Sequence, residues 1–267
     1  MKNTLLGFLR FLFVCLAISS PHQASAQMNM SAQSADSPIV ETRDEIPPKD
    51  LPTPLRMTGI GNSHIQITAN PEAQMWFDQG LSLLHDFWDY ESARAFEQGV
   101  RVDPQCAMCY WGLYKAESFY LSTAQGYARQ SLATAVALKS HASERERLYI
   151  DASAAHEAAI KSAILGPVFT QELLLWRKLV KEYPDDTQAR VFLAGRVGVN
   201  EGLEIYRSIL KDHPEDSAAN HHYVHALEGG PHPELALHSA EILASLASIS
   251  ALCRACSGCG PPSSAWT

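Results

Sequence analysis

Two cysteines near the middle of this 267-residue chain have a spacing that could do redox chemistry. Cys106 and Cys109 form a C-x-x-C at the start of a predicted helix, where the helix N-terminus favours the thiolate, so they could act as a redox pair. Haem attachment would need a histidine at the next position, and Tyr110 stands there. The alternative is that both are small buried residues packed between helices.

A histidine cluster is the second group that could do chemistry. The segment NHHYVHALE places His221 and His225 four residues apart, so both lie on one face of a helix. Two imidazoles at this spacing can bind zinc or another divalent transition metal. A third ligand could come from Glu228, from His232 or from beyond residue 247. The alternative is that the histidines are polar residues that hydrogen-bond to a peptide or to neighbouring helices.

Helices must position both groups. Asn70 is a good N-cap and Pro71 suits the first helical position, so a helix is predicted to start there. A turn follows at residues 86–89, and Asp103-Pro104 ends a second helix. Ser143 and Glu146 form an S-x-x-E capping box that predicts another helix start.

Residues 73–104 resemble a tetratricopeptide repeat, a pair of antiparallel helices with a period of about 34 residues. The family places aromatic residues, small residues and a closing proline at fixed offsets, and the small residues let the two helices approach closely. The residues that match in register or in size are Trp76, Gly80, Ser92, Phe96, Gly99 and Pro104.

The chain continues with segments that predict further helices. We therefore predict an all-α fold over residues 57–247, an α-solenoid of about five antiparallel helix pairs. Aromatic residues at packing offsets (Trp76, Phe96, Trp176 and Tyr206) are expected in the core. The further helices are predicted at residues 106–121, 124–139, 143–159, 168–182, 187–197, 201–211, 217–228 and 233–247.

The N-terminus predicts export. Lys2 and Arg10 flank an apolar run over residues 5–18, and Ala24-Ser25-Ala26 is an A-x-A cleavage signal, so residues 1–26 read as a signal peptide. The run is too short for a membrane span. Residues 27–56 are polar and proline-rich, and we expect a disordered leader. The mature protein is expected to be periplasmic or secreted, with no membrane span.

The last twenty residues depart from the helical pattern. Residues 248–267 hold Cys253, Cys256 and Cys259, a spacing seen at iron–sulfur ligands, but no fourth ligand follows. Secreted bacterial proteins that resemble this chain continue with a histidine-containing segment and more repeats. We expect either a truncation or frameshift after Ala247, which leaves a disordered tail, or a genuine cysteine-rich terminus.

The charge balance limits the partners. Removing residues 1–26 takes away two of the 21 basic residues and none of the 29 acidic ones, so the formal charge moves from −8 to −10. An acidic chain without a basic cluster argues against nucleic acid as a partner. Nucleophile-elbow, phosphate-loop and dinucleotide-binding motifs are also absent from the sequence.

The resemblance implies a concave groove that binds a peptide or protein. We therefore predict an exported, non-catalytic scaffold with no cofactor. The alternative is a metal-binding helical-repeat protein, with or without hydrolytic activity, that uses His221 and His225 as ligands. The side chains predicted at the groove are Phe77, Leu81, His85, Trp111, Lys115, Phe119, His221 and His225.

Overall fold

The computed structural model describes residues 47–120, 125–162 and 165–246, without the side chains of residues 119–120, 125–126, 161–162 and 165–169. Within these ranges the protein is all-helical and contains no β-strand. The helices are α1 (Pro71–His85), α2 (Asp89–Val102), α3 (Ala107–Tyr120), α4 (Gln125–Ala137), α5 (Glu144–Ser162), α6 (Leu165–Glu182), α7 (Thr187–Ala194), α8 (Val199–Asp212), α9 (Ser217–Glu228) and α10 (Leu237–Leu246). Three short 3-10 helices lie at Pro48–Asp50, Lys139–His141 and Pro233–Ala236.

Consecutive helices pack against one another as pairs along the chain. The predicted helices are confirmed, with bounds that agree to within a few residues. Asn70 caps α1 because its side chain accepts a hydrogen bond from the backbone N–H of Ala73 at 2.9 Å. The fold is thus all-α, with sequential helix pairs consistent with a helical repeat.

The predicted capping box at the start of α5 is formed, and it has a second role. The backbone N–H of Ser143 donates to Glu146 at 2.6 Å, and the backbone N–H of Glu146 donates to the Ser143 hydroxyl at 3.3 Å. The same carboxylate accepts from the backbone N–H and the hydroxyl of Thr68, both at 2.6 Å. Glu146 therefore joins the extended segment before α1 to the start of α5.

Glycines let α1, α2 and α3 approach closely, as the repeat pattern predicts for Gly80. A Cβ atom at Gly80 would lie 2.8 Å from the ring of Phe96. The same ring excludes a side chain at Gly112 on α3, where a Cβ atom would lie 2.3 Å from it. The Phe96 ring therefore packs directly on the backbones of two neighbouring helices.

Aromatic side chains dominate the interior. Trp76, Phe96, Trp176 and Tyr206 are buried, which confirms their predicted place in the core. Tyr149 packs edge-on against Trp176, with ring centres 5.5 Å apart. Edge-on aromatic pairs contribute about 0.5–1.5 kcal/mol beyond the area that they bury.

Part of the predicted leader is folded. Residues 47–56 lie against α1 and α2: Arg101 donates to the carbonyl of Leu51 at 2.6 Å and Arg94 to that of Thr53 at 2.7 Å. Within the predicted leader of residues 27–56, the portion at residues 47–56 is therefore held against α2 by arginine side chains. Prolines remove backbone donors from such a segment, and arginines on a neighbouring helix supply the donors that its carbonyl groups need.

The extended segment that follows ties α1 to α9. Asn62 donates from its backbone N–H to the Ser217 hydroxyl at 3.0 Å and accepts from the Ser217 backbone N–H at 3.0 Å. The ends of α1 and α9 also touch, since His85 Nδ1 lies 3.1 Å from His222 Nε2. The inner faces of these two helices are therefore in contact with each other.

Several predictions fall outside the described residues. They concern the signal peptide at residues 1–26, the leader up to residue 46, and the tail at residues 248–267 with its three cysteines. Among the described helices, none has the length and apolar character that crossing a membrane requires.

We expect Gly112→Ala to destabilise the protein by about 1–3 kcal/mol, because the added methyl group overlaps the buried ring of Phe96. Urea unfolding followed by circular dichroism measures this change. Gly229→Ala is the control, because a Cβ atom at Gly229 meets nothing within 4 Å. Equal effects of the two substitutions would contradict the packing described for Phe96.

Candidate functional site

A cavity of about 460 Å³ lies where α1, α3, α7 and α9 converge. Apolar groups form much of its wall, and two cations, two histidines and one carboxyl group also line it. Pockets of this size and mixed lining are typical of ligand sites. The lining residues are Leu84, His85, Phe87, Asp89, Lys115, Val191, Phe192, Gly195, Arg196 and His222.

Lys115 and Arg196 are the two cations at this cavity. Lys115 is buried on α3, with its ammonium nitrogen 5.2 Å from the centre of the Phe192 ring. Burial is the main reason that the pKa of Lys115 is lowered to about 7, and the nearby charge of Arg196 lowers it further. A bound anion would relieve both effects.

Glu172 on α6 balances part of this positive charge. Its carboxylate lies 2.9 Å from Nε of Arg196 and 2.7 Å from Nδ1 of His156. Burial alone would raise the pKa of Glu172, but the His156 hydrogen bond and the Arg196 charge together lower it. Glu172 is therefore a buried anion that holds Arg196 in place beside the cavity.

Two neutral histidines form the opposite side of the cavity. Burial, and then repulsion from His222 and His221, lower the pKa of His85 well below its ordinary value. Burial and the same kind of repulsion lower the pKa of His222 to about 3. Since both rings are uncharged at neutral pH, the 3.1 Å contact between them is a hydrogen bond between neutral imidazoles.

Asp89, the first residue of α2, adds one carboxyl group to the wall. Burial raises its pKa to about 6, so its charge depends on pH in the neutral range. The cavity therefore combines a carboxyl group and an amine whose pKa values burial shifts into the neutral range. Perturbed titratable groups in a cleft are typical of functional sites.

Phe87 stands at the mouth of the cavity in an unusual backbone conformation. Its φ is 61°, in the left-handed region that glycine ordinarily occupies after a helix. The backbone N–H groups of Phe87 and Trp88 bond to the carbonyl groups of Leu84 and Leu83, which completes a Schellman motif at the end of α1. This strain, of order 1–3 kcal/mol, holds a ring that is 53% exposed over the histidines of α9.

The structure brings the two predicted metal-ligating histidines together. Nε2 of His221 lies 2.9 Å from Nε2 of His225. Nδ1 of His225 lies 2.9 Å from Glu228, and Nδ1 of His221 lies 3.3 Å from Asp86, close but without the alignment of a hydrogen bond. Among the described residues, no group of three or more histidine, cysteine, aspartate or glutamate side chains is placed to hold a metal ion.

The predicted groove residues with described side chains fall into three sets. His85 and Lys115 line the cavity, and His221 and His225 lie beside it under Phe87. The side chain of Phe119 on α3 is outside the described residues. Phe77, Leu81 and Trp111 are fully buried in the core, and the Trp111 indole donates to Ser153 at 2.9 Å.

Phe77, Leu81 and Trp111, which were predicted at a groove wall, are therefore core residues in this structure. The inner faces pack against one another instead of lining a groove, so these side chains stabilise the core. A partner could contact them only by displacing their neighbours.

The two cysteines of the C-x-x-C motif form a disulfide. Cys106 and Cys109 are joined at the start of α3, and both side chains are fully buried. Gly99 on α2 lies against Cys109, so the bridge is packed between helices. Exchange with an external thiol needs access to a sulfur atom, and burial removes that access.

Sequence reasoning missed Phe192, Arg196, Asp89 and Phe87. Each lies next to a turn or on the short helix α7, where the repeat offsets give no guidance. His222 belonged to the recognised cluster, but its contact with His85 depends on a long-range approach of α1 and α9. The burial of Lys115 near Arg196 could not be predicted from the spacing of residues along the sequence.

Comparison with known proteins gives no match: no family model fits the chain, and no curated protein or solved structure is significantly similar to it. The family likeness of residues 73–104 therefore depends on their own pattern. The helix pairs in the structure agree with that pattern at the level of fold class.

We expect Lys115→Met to stabilise the protein by on the order of 1–4 kcal/mol at pH 6. The pKa of Lys115 lies below that of an exposed lysine, so the unfolded chain binds the proton more readily and folding is penalised at low pH. This penalty is full below pH 7 and disappears as the pH rises to about 10.4. Thermal unfolding of both proteins across this range measures the change.

Lys178→Met is the matched control for this substitution. Lys178 lies on the surface of α6, and we expect its replacement to have little effect at any pH. A Lys115→Met protein less stable than the parent at pH 6 would contradict the burial argument.

Proposed function

We propose that this protein is an exported, non-catalytic scaffold of the tetratricopeptide-repeat type that binds a protein or peptide partner. The bound segment is proposed to place one carboxylate beside Lys115 and Arg196, and a neighbouring apolar side chain against Phe192. The observation that carries this proposal is the cavity of about 460 Å³ lined by these groups on the inner sides of the helix pairs.

The chemistry of the cavity supports an anionic group on the ligand. Lys115 and Arg196 flank the same space, and burial leaves the amine of Lys115 only partly protonated near pH 7. A carboxylate placed there would restore the full charge of the amine and gain charge-assisted hydrogen bonds, which contribute about 1.5–3 kcal/mol each.

A second cavity favours an extended peptide as the ligand over a compact molecule. It shares Lys115 and Arg196 with the first cavity, has a volume of about 160 Å³ and includes Arg129 and His156 in its wall. Neighbouring side chains of one peptide could enter the two cavities that share these cations. The net charge of −8 disfavours a polyacidic partner, so a single carboxylate among apolar side chains fits best.

Export is part of the proposal. The signal-peptide pattern of residues 1–26 is its main support. The buried disulfide between Cys106 and Cys109 agrees with it, since disulfides persist in oxidising compartments such as the periplasm.

Binding of an array of blocked peptides, each with one Asp or Glu among apolar residues, tests the proposal. We expect selected peptides to bind the intact protein and to lose about tenfold or more in affinity when their acid is replaced by the amide. The Lys115→Met protein should show the same loss, measured by fluorescence polarisation. Lys178→Met should bind like the parent.

Two results would overturn this assignment. One is a set of bound peptides that show no preference for the acid over the amide. The other is undiminished binding by a folded Lys115→Met protein, which would place the ligand elsewhere.

The affinity for such a peptide should depend on pH in one direction. Lys115 is mostly protonated below its pKa of about 7 and loses its charge above it. Glu172, Arg196 and His85 face this amine, and the Asp89 carboxyl group in the same cavity gains negative charge as the pH rises through its pKa of about 6. We therefore expect affinity to fall as pH rises from 6 to 9, and in Lys115→Met only the smaller part that comes from Asp89 should remain. An affinity that rises over this range would contradict the role given to Lys115.

A further inference from the structure

We infer that His221 and His225 are the two protein ligands of a binding site for a divalent transition metal, best suited to Cu²⁺. The site is separate from the cavity between Lys115 and Arg196 and does not depend on the function proposed for it. The chain supplies two nitrogen donors, and water or a donor atom of a bound molecule supplies the others.

The distance between the two ring centres is closer to that of a metal site than to that of a straight hydrogen bond. A metal about 2.0–2.1 Å from both Nε2 atoms, in line with each ring, would hold the ring centres about 4.5 Å apart. A straight hydrogen bond between the same two atoms would place the centres about 5.2 Å apart. The observed separation is 4.7 Å and the ring planes are 49° apart, so the two rings meet at an angle and not end to end.

One carboxylate is hydrogen-bonded to His225, and a second carboxylate lies near His221 without the alignment of a hydrogen bond. Glu228 lies 2.9 Å from Nδ1 of His225, and Asp86 lies 3.3 Å from Nδ1 of His221. With the ring protons on Nδ1, both Nε2 atoms present lone pairs to each other at 2.9 Å. A metal ion turns this repulsion into coordination, and carboxylate–histidine–metal arrangements of this kind are typical of metal sites.

The surroundings allow a metal to enter and keep part of the site dry. The ring of Phe87 lies 5.0 Å from His221 and 5.1 Å from His225, measured between ring centres. The side chain of His225 is 29% exposed, so the remaining coordination positions face solvent. An apolar cover on one side and solvent on the other leave an open site for an exchangeable ligand.

The nitrogen spacing favours copper among the divalent metals. Two nitrogens 2.9 Å apart with bonds of about 2.0–2.1 Å enclose an angle of about 90° at the metal. Adjacent positions of a square-planar Cu²⁺ ion have this angle, whereas a tetrahedral zinc ion requires the nitrogens to move apart. Cu²⁺ also binds nitrogen ligands most strongly of the divalent first-row metals.

The test is a Cu²⁺ titration of the full chain after its free thiols have been alkylated, which blocks any cysteine site. Electron paramagnetic resonance reports the number of nitrogen ligands, and calorimetry reports the affinity. We expect one Cu²⁺ with two imidazole nitrogens. His225→Gln should weaken this binding at least 100-fold with unchanged helicity, because the side chain of His225 is partly exposed and its loss does not open the core.

Asp86→Asn provides a second measurement that does not remove a ligand. Outer-shell carboxylates typically change metal affinity 10- to 100-fold, and we expect a decrease in this range. His238→Gln is the matched control, because His238 lies on α10 and its side chain is 82% exposed. It should bind Cu²⁺ like the parent.

The inference is overturned if the alkylated protein takes up no Cu²⁺, or if His225→Gln and His238→Gln have equal effects. It is also overturned if the resonance spectrum shows a single nitrogen ligand, since the two rings would then share a proton and not a metal. None of these results bears on peptide binding through Lys115, so either proposal can be refuted while the other stands.

Discussion

The contact between the end of α1 and α9 is the interaction on which the candidate site depends. It brings His85 and Asp86, at the end of one helix, against His221 and His222, which lie about 135 residues further along the chain. Helix pairs stacked only on their neighbours would leave these groups apart. A cavity lies beside this contact, and its lining includes His85 at the end of α1 and His222 of α9.

The buried charges near this contact show how the protein balances stability against binding. Glu172 offsets Arg196, but Lys115 has lost part of its hydration, and its lowered pKa is the sign of that cost. The strained backbone of Phe87 adds a second cost in the same region. The buried charge and the strained backbone both lower the stability of the protein around this cavity. Such destabilising features are characteristic of functional sites, since a core selected for stability alone would have apolar groups at these positions.

Local patterns predicted the helices well and the site only in part. Asn70, the capping box at Ser143 and the small residue at Gly80 act over a few residues, so their roles can be read from spacing. The burial of Phe77 and Trp111 could not be foreseen, because repeat offsets assume an open inner wall. Phe77 packs on Phe96 of α2, and Trp111 packs on Tyr149 of α5 and Phe192 of α7, which are contacts that no local pattern encodes. Arg196 was missed for the same reason, since its partners come from distant helices.

The extended segment before α1 has a consequence for how the protein folds. Through Asn62 it bonds to α9, through Thr68 to α5, and its isoleucines Ile65 and Ile67 are part of the main core. In a linear array of repeats the terminal units can melt one after another, because each contacts only its neighbours. Here a link that spans 155 positions in the chain binds an early segment to a late helix. The array should therefore fold slowly, through contacts distant in sequence, and unfold as a single cooperative unit.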